Sequence, residues 1–204
     1  YRHAIFKFSN DGKKLLQTIG EPNVPGNDDK HFNRPTFMAW LPDGTFFVAD
    51  GYANTRVAKF DKDGKYVATW GQRGEAGRGA SGPEKRPGYF NNVHGIAVDP
   101  QTRRVFVNDR NNGRVQVFDE NGKYLDEWSF GQRVISDIHM FIITSDRFLW
   151  AADRGTSKLV KYSLAGKFLY SWGVWGECPG AFWGVHGMSV DQAGNVYTAA
   201  GERG

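Results

Sequence analysis

The chain has 204 residues, with 26 basic and 22 acidic side chains and a formal net charge of +4. Hydrophobic residues make up 40% and charged residues 24%, the balance of a globular chain long enough to bury a core, and no apolar run reaches the ~18 residues of a membrane helix. The densest basic segment, Arg73 to Arg86, also carries Glu75 and Glu84, so it is too broken for a nucleic-acid footprint, and the lone Cys178 excludes an internal disulfide.

Aromatics at 15% and 26 glycines point to a turn-rich, all-β chain. From residue 5, IFKFSNDGKKLLQTIG is two short alternating runs around an Asp-Gly turn, the signature of a β-hairpin. MAWLPDGTFFVADGY then gives one hairpin and RVAKFDKDGKYVATWG, from residue 56, the next. The same pair recurs as HGIAVDPQTRRVFVNDR with RVQVFDENGKYLDEWSFG, and again as HMFIITSDRFLWAADR with LVKYSLAGKFLYSWG. HGMSVDQAGNVYTAAG closes the series. The turn glycines Gly12, Gly64, Gly122 and Gly166 recur at roughly fifty-residue intervals, a period that means propeller blades of four antiparallel strands, here called a to d.

VADGYANTRVAKFDKDGKYVATWG and VNDRNNGRVQVFDENGKYLDEW resemble NHL repeats, and the pattern covers the whole chain. The expected fold is an all-β NHL-type propeller forming a single domain over 1–204. Strands c and d fall in 1–20, complete blades in 35–71, 93–131 and 138–173, and strands a and b in 185–200. That is four blades' worth, three complete and two halves. The resemblance implies part of a six-bladed ring; alternatively the last pair completes the first and closes a four-bladed one. Trp70, Trp128 and Trp172 are expected to pack between blades, and the Gly-Lys turns to be solvated on the face opposite the start of strand a.

The residue at the start of strand a is Thr36, His94, His139 and His186 in successive blades. A single histidine there reads as structural. Three at one repeat position, on the strands nearest the axis, can converge as a catalytic zinc requires. His3 and His31 lie elsewhere in the repeat. Strand parity places the b-to-c loops around the same mouth, with Asp50, Tyr52, Arg56, Asp109, Arg110, Arg114, Asp153 and Arg154 on it. Near a metal, a phenol and guanidiniums serve as proton carrier and anion clamp. The plainer reading is that Asp and Arg pair to hold the turns, and it is the one expected for Arg56 and Arg114.

The order Pro-Thr, Asp-Gly-Tyr-x-Asn-x-Arg, Val-His-Gly, Asp-Arg-x-Asn-Gly-Arg, Val-His-Gly resembles the peptidyl-α-hydroxyglycine α-amidating lyases. The resemblance implies an axial zinc held by three histidines, and cleavage of a peptidyl-α-hydroxyglycine to a peptide amide and glyoxylate. By motif, Tyr52 matches the catalytic tyrosine, Arg110 the active-site arginine, and His94 and His186 two zinc ligands. The third family ligand belongs to a blade preceding Tyr1. Gly187 stands where animal members carry an aspartate that helps bind a structural calcium, and Gly184 replaces a methionine, so calcium is not expected. Family ligands come from alternate blades, so His139 has no inherited role. It is expected to face the channel as a hydrogen-bonded second-shell or substrate-side group, together with Asp50, Asp109 and Arg154. The substrate would be a small molecule or peptide bearing a carboxylate, and the resemblance implies a secretory or periplasmic location. The competing expectation is a non-catalytic propeller offering the loops 20–34, 71–92 and 173–184 to a protein partner, or less readily to RNA.

Overall fold

In a computed structural model, which describes residues 2–74, 84–131 and 136–200, the chain is all-β and built of antiparallel meanders. Strands β1 (Ile5–Phe8) and β2 (Leu15–Ile19) form a hairpin. β3 (Phe37–Trp40), β4 (Phe46–Asp50), β5 (Arg56–Phe60) and β6 (Tyr66–Trp70) follow as a four-stranded sheet in sequence order. The short strands β7 (Gln72–Arg73) and β8 (Tyr89–Phe90) pair in parallel. They are followed by the sheet of β9 (Val93–Asp99), β10 (Arg104–Asp109), β11 (Arg114–Phe118) and β12 (Tyr124–Ser129). β13 (Ile138–Ile143), β14 (Phe148–Asp153), β15 (Lys158–Ser163) and β16 (Phe168–Trp172) repeat the pattern. After the parallel pair β17 (Val174–Trp175) and β18 (Ala181–Phe182), the hairpin of β19 (Val185–Val190) and β20 (Val196–Ala200) ends the described chain. It forms a sheet separate from that of β1 and β2. Glu75 and the middle of the 71–92 loop lie outside the described residues.

Each c-to-d turn is built alike. Asp61, Asp119 and Ser163 accept the amide of the turn glycine, whose φ is +82° in Gly64, +86° in Gly122 and +79° in Gly166. Beyond each turn the c–d ladder also slips, at Lys59/Phe60, Val117/Phe118 and Lys161/Tyr162, leaving Val67, Leu125 and Leu169 as the extra residue of strand d.

The blades pack face to face. Phe47, Val57, Val105 and Phe118 are buried between the second and third sheets, and Phe106, Val115, Phe141 and Leu149 between the third and fourth. Each fully buried aromatic contributes roughly 1.5–3 kcal/mol to holding the stack. Trp70 and Trp128 reach across these seams, as expected of blade-packing residues. Their targets correct the reading of the turns as merely solvated. A Cβ on Gly122 would lie 2.8 Å from the Trp70 ring, and one on Gly166 2.4 Å from Trp128. The turn of each of these blades is therefore a flat seat for the preceding blade's indole.

The a strands β3, β9, β13 and β19 lie side by side, each against the next. Glycine sets how closely. A Cβ on Gly95 would stand 2.9 Å from the Cα of Met140, and one on Gly51 only 1.4 Å from the carbonyl oxygen of Val93. These two contacts bring the b-to-c loop carrying Tyr52, and then β13, up against β9 on either side of His94.

Candidate metal centre

Each histidine of the repeat is presented by a fault in the sheet. The ladder of β9 with β10 slips between Val93 and Ile96, that of β13 with β14 between Ile138 and Met140, and that of β19 with β20 between Val185 and Gly187. His94, His139 and His186 are the residues left out of register. A bulge re-aims the side chain it carries, and the three imidazoles converge. Their ring centroids are 5.1 Å (His94–His139), 5.6 Å (His94–His186) and 4.4 Å (His139–His186) apart. One ligand nitrogen from each lies within 4.8 Å of the others. Thr36, at the same repeat position, bonds back to the sheet instead: its hydroxyl is 2.7 Å from the His94 carbonyl and 3.0 Å from that of Ala49.

The tautomer of His94 follows from its partners. Nδ1 lies 2.6 Å from the His139 carbonyl oxygen, which can only accept, so Nδ1 carries the proton. Burial, outweighing that hydrogen bond, pushes its pKa down to about 3, with the nearby Arg110, His139 and His186 charges acting in the same direction. The ring is neutral near pH 7 and Nε2 keeps its lone pair. Tyr52 spends it: its hydroxyl donates to Nε2 at 2.9 Å.

His139 is 4% exposed. Its Nε2 is 3.3 Å from Oδ2 of Asp137, while its Nδ1 is buried with no hydrogen-bond partner. The ring thus has one nitrogen against a carboxylate and one buried nitrogen bare, in an imidazole whose centroid is 5.1 Å from that of His94 and 4.4 Å from that of His186. Asp137 also receives Arg110 through two contacts, Nε at 3.0 Å and Nη2 at 3.2 Å, and faces Nη1 of Arg154 at 3.8 Å. Burial acts to raise the Asp137 pKa, but the hydrogen bonds from His139 and Arg110 outweigh it and hold the carboxyl well below the usual carboxylate range.

The structure brings Tyr52, His94, His139, His186, Arg110 and Arg154 to one locality. It does not bring Asp50 and Asp109, placed by the sequence among possible second-shell or substrate groups. Both are fully buried behind the mouth. Asp50 accepts Nε of Arg56 at 2.9 Å, the Asn33 amide and Asn54; Asp109 accepts Nε of Arg114 at 2.8 Å, the Asn91 amide and Asn112. With both oxygens of each carboxylate engaged by loop amides, asparagine and guanidinium, they hold turns, as expected of Arg56 and Arg114. Asp153 anchors the Asp137 amide in the same way, at 2.9 Å. Asp137 itself escaped the sequence reading. It occupies the anchor position of Asn33 and Asn91 but lies one residue nearer its histidine, and the exchange of an amide for a carboxylate there was the available signal.

Three imidazoles with no carboxylate or thiolate suit zinc or a similar divalent metal, and the neutral His94 and the orphaned Nδ1 of His139 fit that use. Comparison with known proteins agrees with a lyase ancestry. The NHL repeat family matches residues 90–118. The chain is 36% identical over 140 residues to the peptidylglycine alpha-amidating monooxygenase of Rattus norvegicus, covering 66% of this chain and 14% of that protein. It is 36% identical over 141 residues to peptidyl-alpha-hydroxyglycine alpha-amidating lyase 1 of Drosophila melanogaster, covering 66% of this chain and 25% of that one. The chain thus spans a quarter or less of these relatives' length. Among solved structures, a gluconolactonase of Xanthomonas campestris superposes with a TM-score of 0.65 over 98% of this chain and 63% of its own, at 16% identity, a likeness of fold.

Proposed function

We propose that this NHL-repeat propeller, similar over two thirds of its length to amidating lyases, is a zinc-dependent lyase of peptidyl-α-hydroxyglycine-like substrates. The observation that carries the reading is the Tyr52 hydroxyl 2.9 Å from a histidine that clusters with two others. His94 and His186 would hold the metal, which when bound would polarise a substrate oxygen as a Lewis acid. Tyr52 would relay the proton, giving that of its own hydroxyl to the departing amide nitrogen as it accepts the one from the carbinol hydroxyl. As the O–H proton leaves, the C=O of glyoxylate forms and the C–N bond breaks, so atoms and charge balance. Arg110 keeps Nη1 for a substrate carboxylate, because Asp137 engages only its Nε and Nη2. Incubating the full-length protein with a peptidyl-α-hydroxyglycine and following glyoxylate release tests this directly. Zinc-dependent release that Tyr52→Phe abolishes supports the reading; no release with zinc present ends it.

A second reading has its own observation. Trp175, 67% exposed, stacks against Trp183 with ring centroids 4.4 Å apart in the 173–184 loop. Such an exposed aromatic pair suits a protein partner on a non-catalytic propeller. Absence of stoichiometric zinc together with a partner lost on Trp175→Ala would favour it.

A further inference from the structure

We propose that Nδ1 of His139 is itself a metal ligand, and that Asp137 is the positioning residue that makes it one. The proposal deepens the reading above and rests on the cluster holding a metal. Three observations carry it. First, Nδ1 of His139 is buried and lacks any hydrogen-bond partner, in a ring whose other nitrogen is engaged. Second, the Asp137 carboxylate fixes which nitrogen is bare. Paired with Arg110 and beside Arg154, it can only accept, so the proton of the imidazole sits on Nε2 and the lone pair on Nδ1. A carboxylate on the far nitrogen of an imidazole is the support that metal-binding histidines receive: it sets tautomer and ring orientation and raises basicity. Third, the bulge between Ile138 and Met140 delivers His139 as the matching bulges deliver His94 and His186, and its ring is nearer to His186 than His94 is. A hydrogen-bonding bystander would need neither the bare nitrogen nor the oriented ring. This blade therefore supplies a donor of its own, alongside those of its two neighbours.

The test is metal binding by the full-length protein, read by zinc calorimetry and by the visible spectrum of the cobalt-loaded form, with no substrate present. His139→Phe keeps the ring's shape and removes the ligand: zinc affinity should fall by roughly 100-fold or more and the cobalt bands should change in intensity. Asp137→Asn keeps the imidazole and loosens its tautomer, so affinity should fall by roughly 10–100-fold with the bands shifted less. Wild-type affinity and an unchanged cobalt spectrum in His139→Phe, with binding lost in His94→Ala, would overturn this inference and leave the lyase reading standing. A wild-type protein that binds no metal would overturn both. If His139→Phe does not fold, Asp137→Asn decides: unchanged affinity and spectrum overturn the proposal.

Discussion

The hydroxyl of Tyr52 donates to Nε2 of His94 at 2.9 Å, and Nδ1 of the same ring donates to the backbone of His139. The one lone pair that His94 has to offer is therefore capped by Tyr52, the residue proposed above to move the substrate proton. A metal at Nε2 and the Tyr52 hydrogen bond exclude one another, so metal binding frees the phenol for chemistry. Tyr52→Phe removes the competitor, and a hydrogen bond of about 0.5–1.5 kcal/mol no longer has to be broken. Zinc affinity should stay level or rise by up to about tenfold, while turnover falls by roughly 10²–10⁴. Calorimetry and glyoxylate release on the same sample check both; a drop in zinc affinity would contradict the competition.

Gly51 sets the Tyr52–His94 distance. With Val93 backbone 1.4 Å from where a Cβ would stand, Gly51→Ala must push the b-to-c loop off β9. The expected cost is about 3 kcal/mol or more, at the upper end for overpacking. Gly12→Ala is the control: it has nothing within 4 Å and only its φ of +72° to strain, about 1–2 kcal/mol. Urea denaturation of the two variants should separate them.

The buried pair Arg114–Asp109, at 2.8 Å, is a turn clamp. Arg114→Ala leaves a fully buried carboxylate without its guanidinium and also removes the donor to the Tyr89 carbonyl. Removing one partner of such a pair costs about 3–5 kcal/mol. Thermal unfolding should show the loss, with metal affinity largely retained in the folded fraction, since the clamp touches no imidazole.

The 20–34 loop carries a pH-sensitive clasp in which His31 meets Asp28 at 2.8 Å and Glu21 at 3.4 Å. The hydrogen bond to Asp28, then that to Glu21, raises the His31 pKa above its ordinary 6.5. A raised histidine stabilises the folded loop fully below that value and loses the contribution as pH rises through the folded one. Asp28 is lowered, first by the Lys30 amide and then by His31, so its share is lost only in acid, as pH falls through its depressed pKa. NMR titration of the His31 ring should give a midpoint above 6.5, and amide exchange across 20–34 should quicken through the same window. A midpoint at or below 6.5 would break the clasp argument.

The hairpins, their turn glycines and the repeat were legible in the sequence because period-two alternation and Asp-Gly turns are local signals. So was the placement of His94, His139 and His186 at one repeat position. Asp137 was not legible, because its blade runs one residue shorter between anchor and histidine, and a linear alignment by the histidines hides that. Asp50 and Asp109 read as polar groups near the mouth because parity fixes the end of a strand; only the coordinates show each carboxylate turned inward, onto Arg56 and Arg114.

The sequence by itself determined the blade architecture and which residue types each blade sends towards the axis, since both follow from the repeat. The tertiary structure alone decided the tautomer of His94, the bare nitrogen of His139 and the seating of Trp70 on Gly122. Those depend on which atom of one blade meets which atom of the next, a distance that no spacing along the chain encodes. It is set here by the close approaches that Gly51 and Gly95 permit.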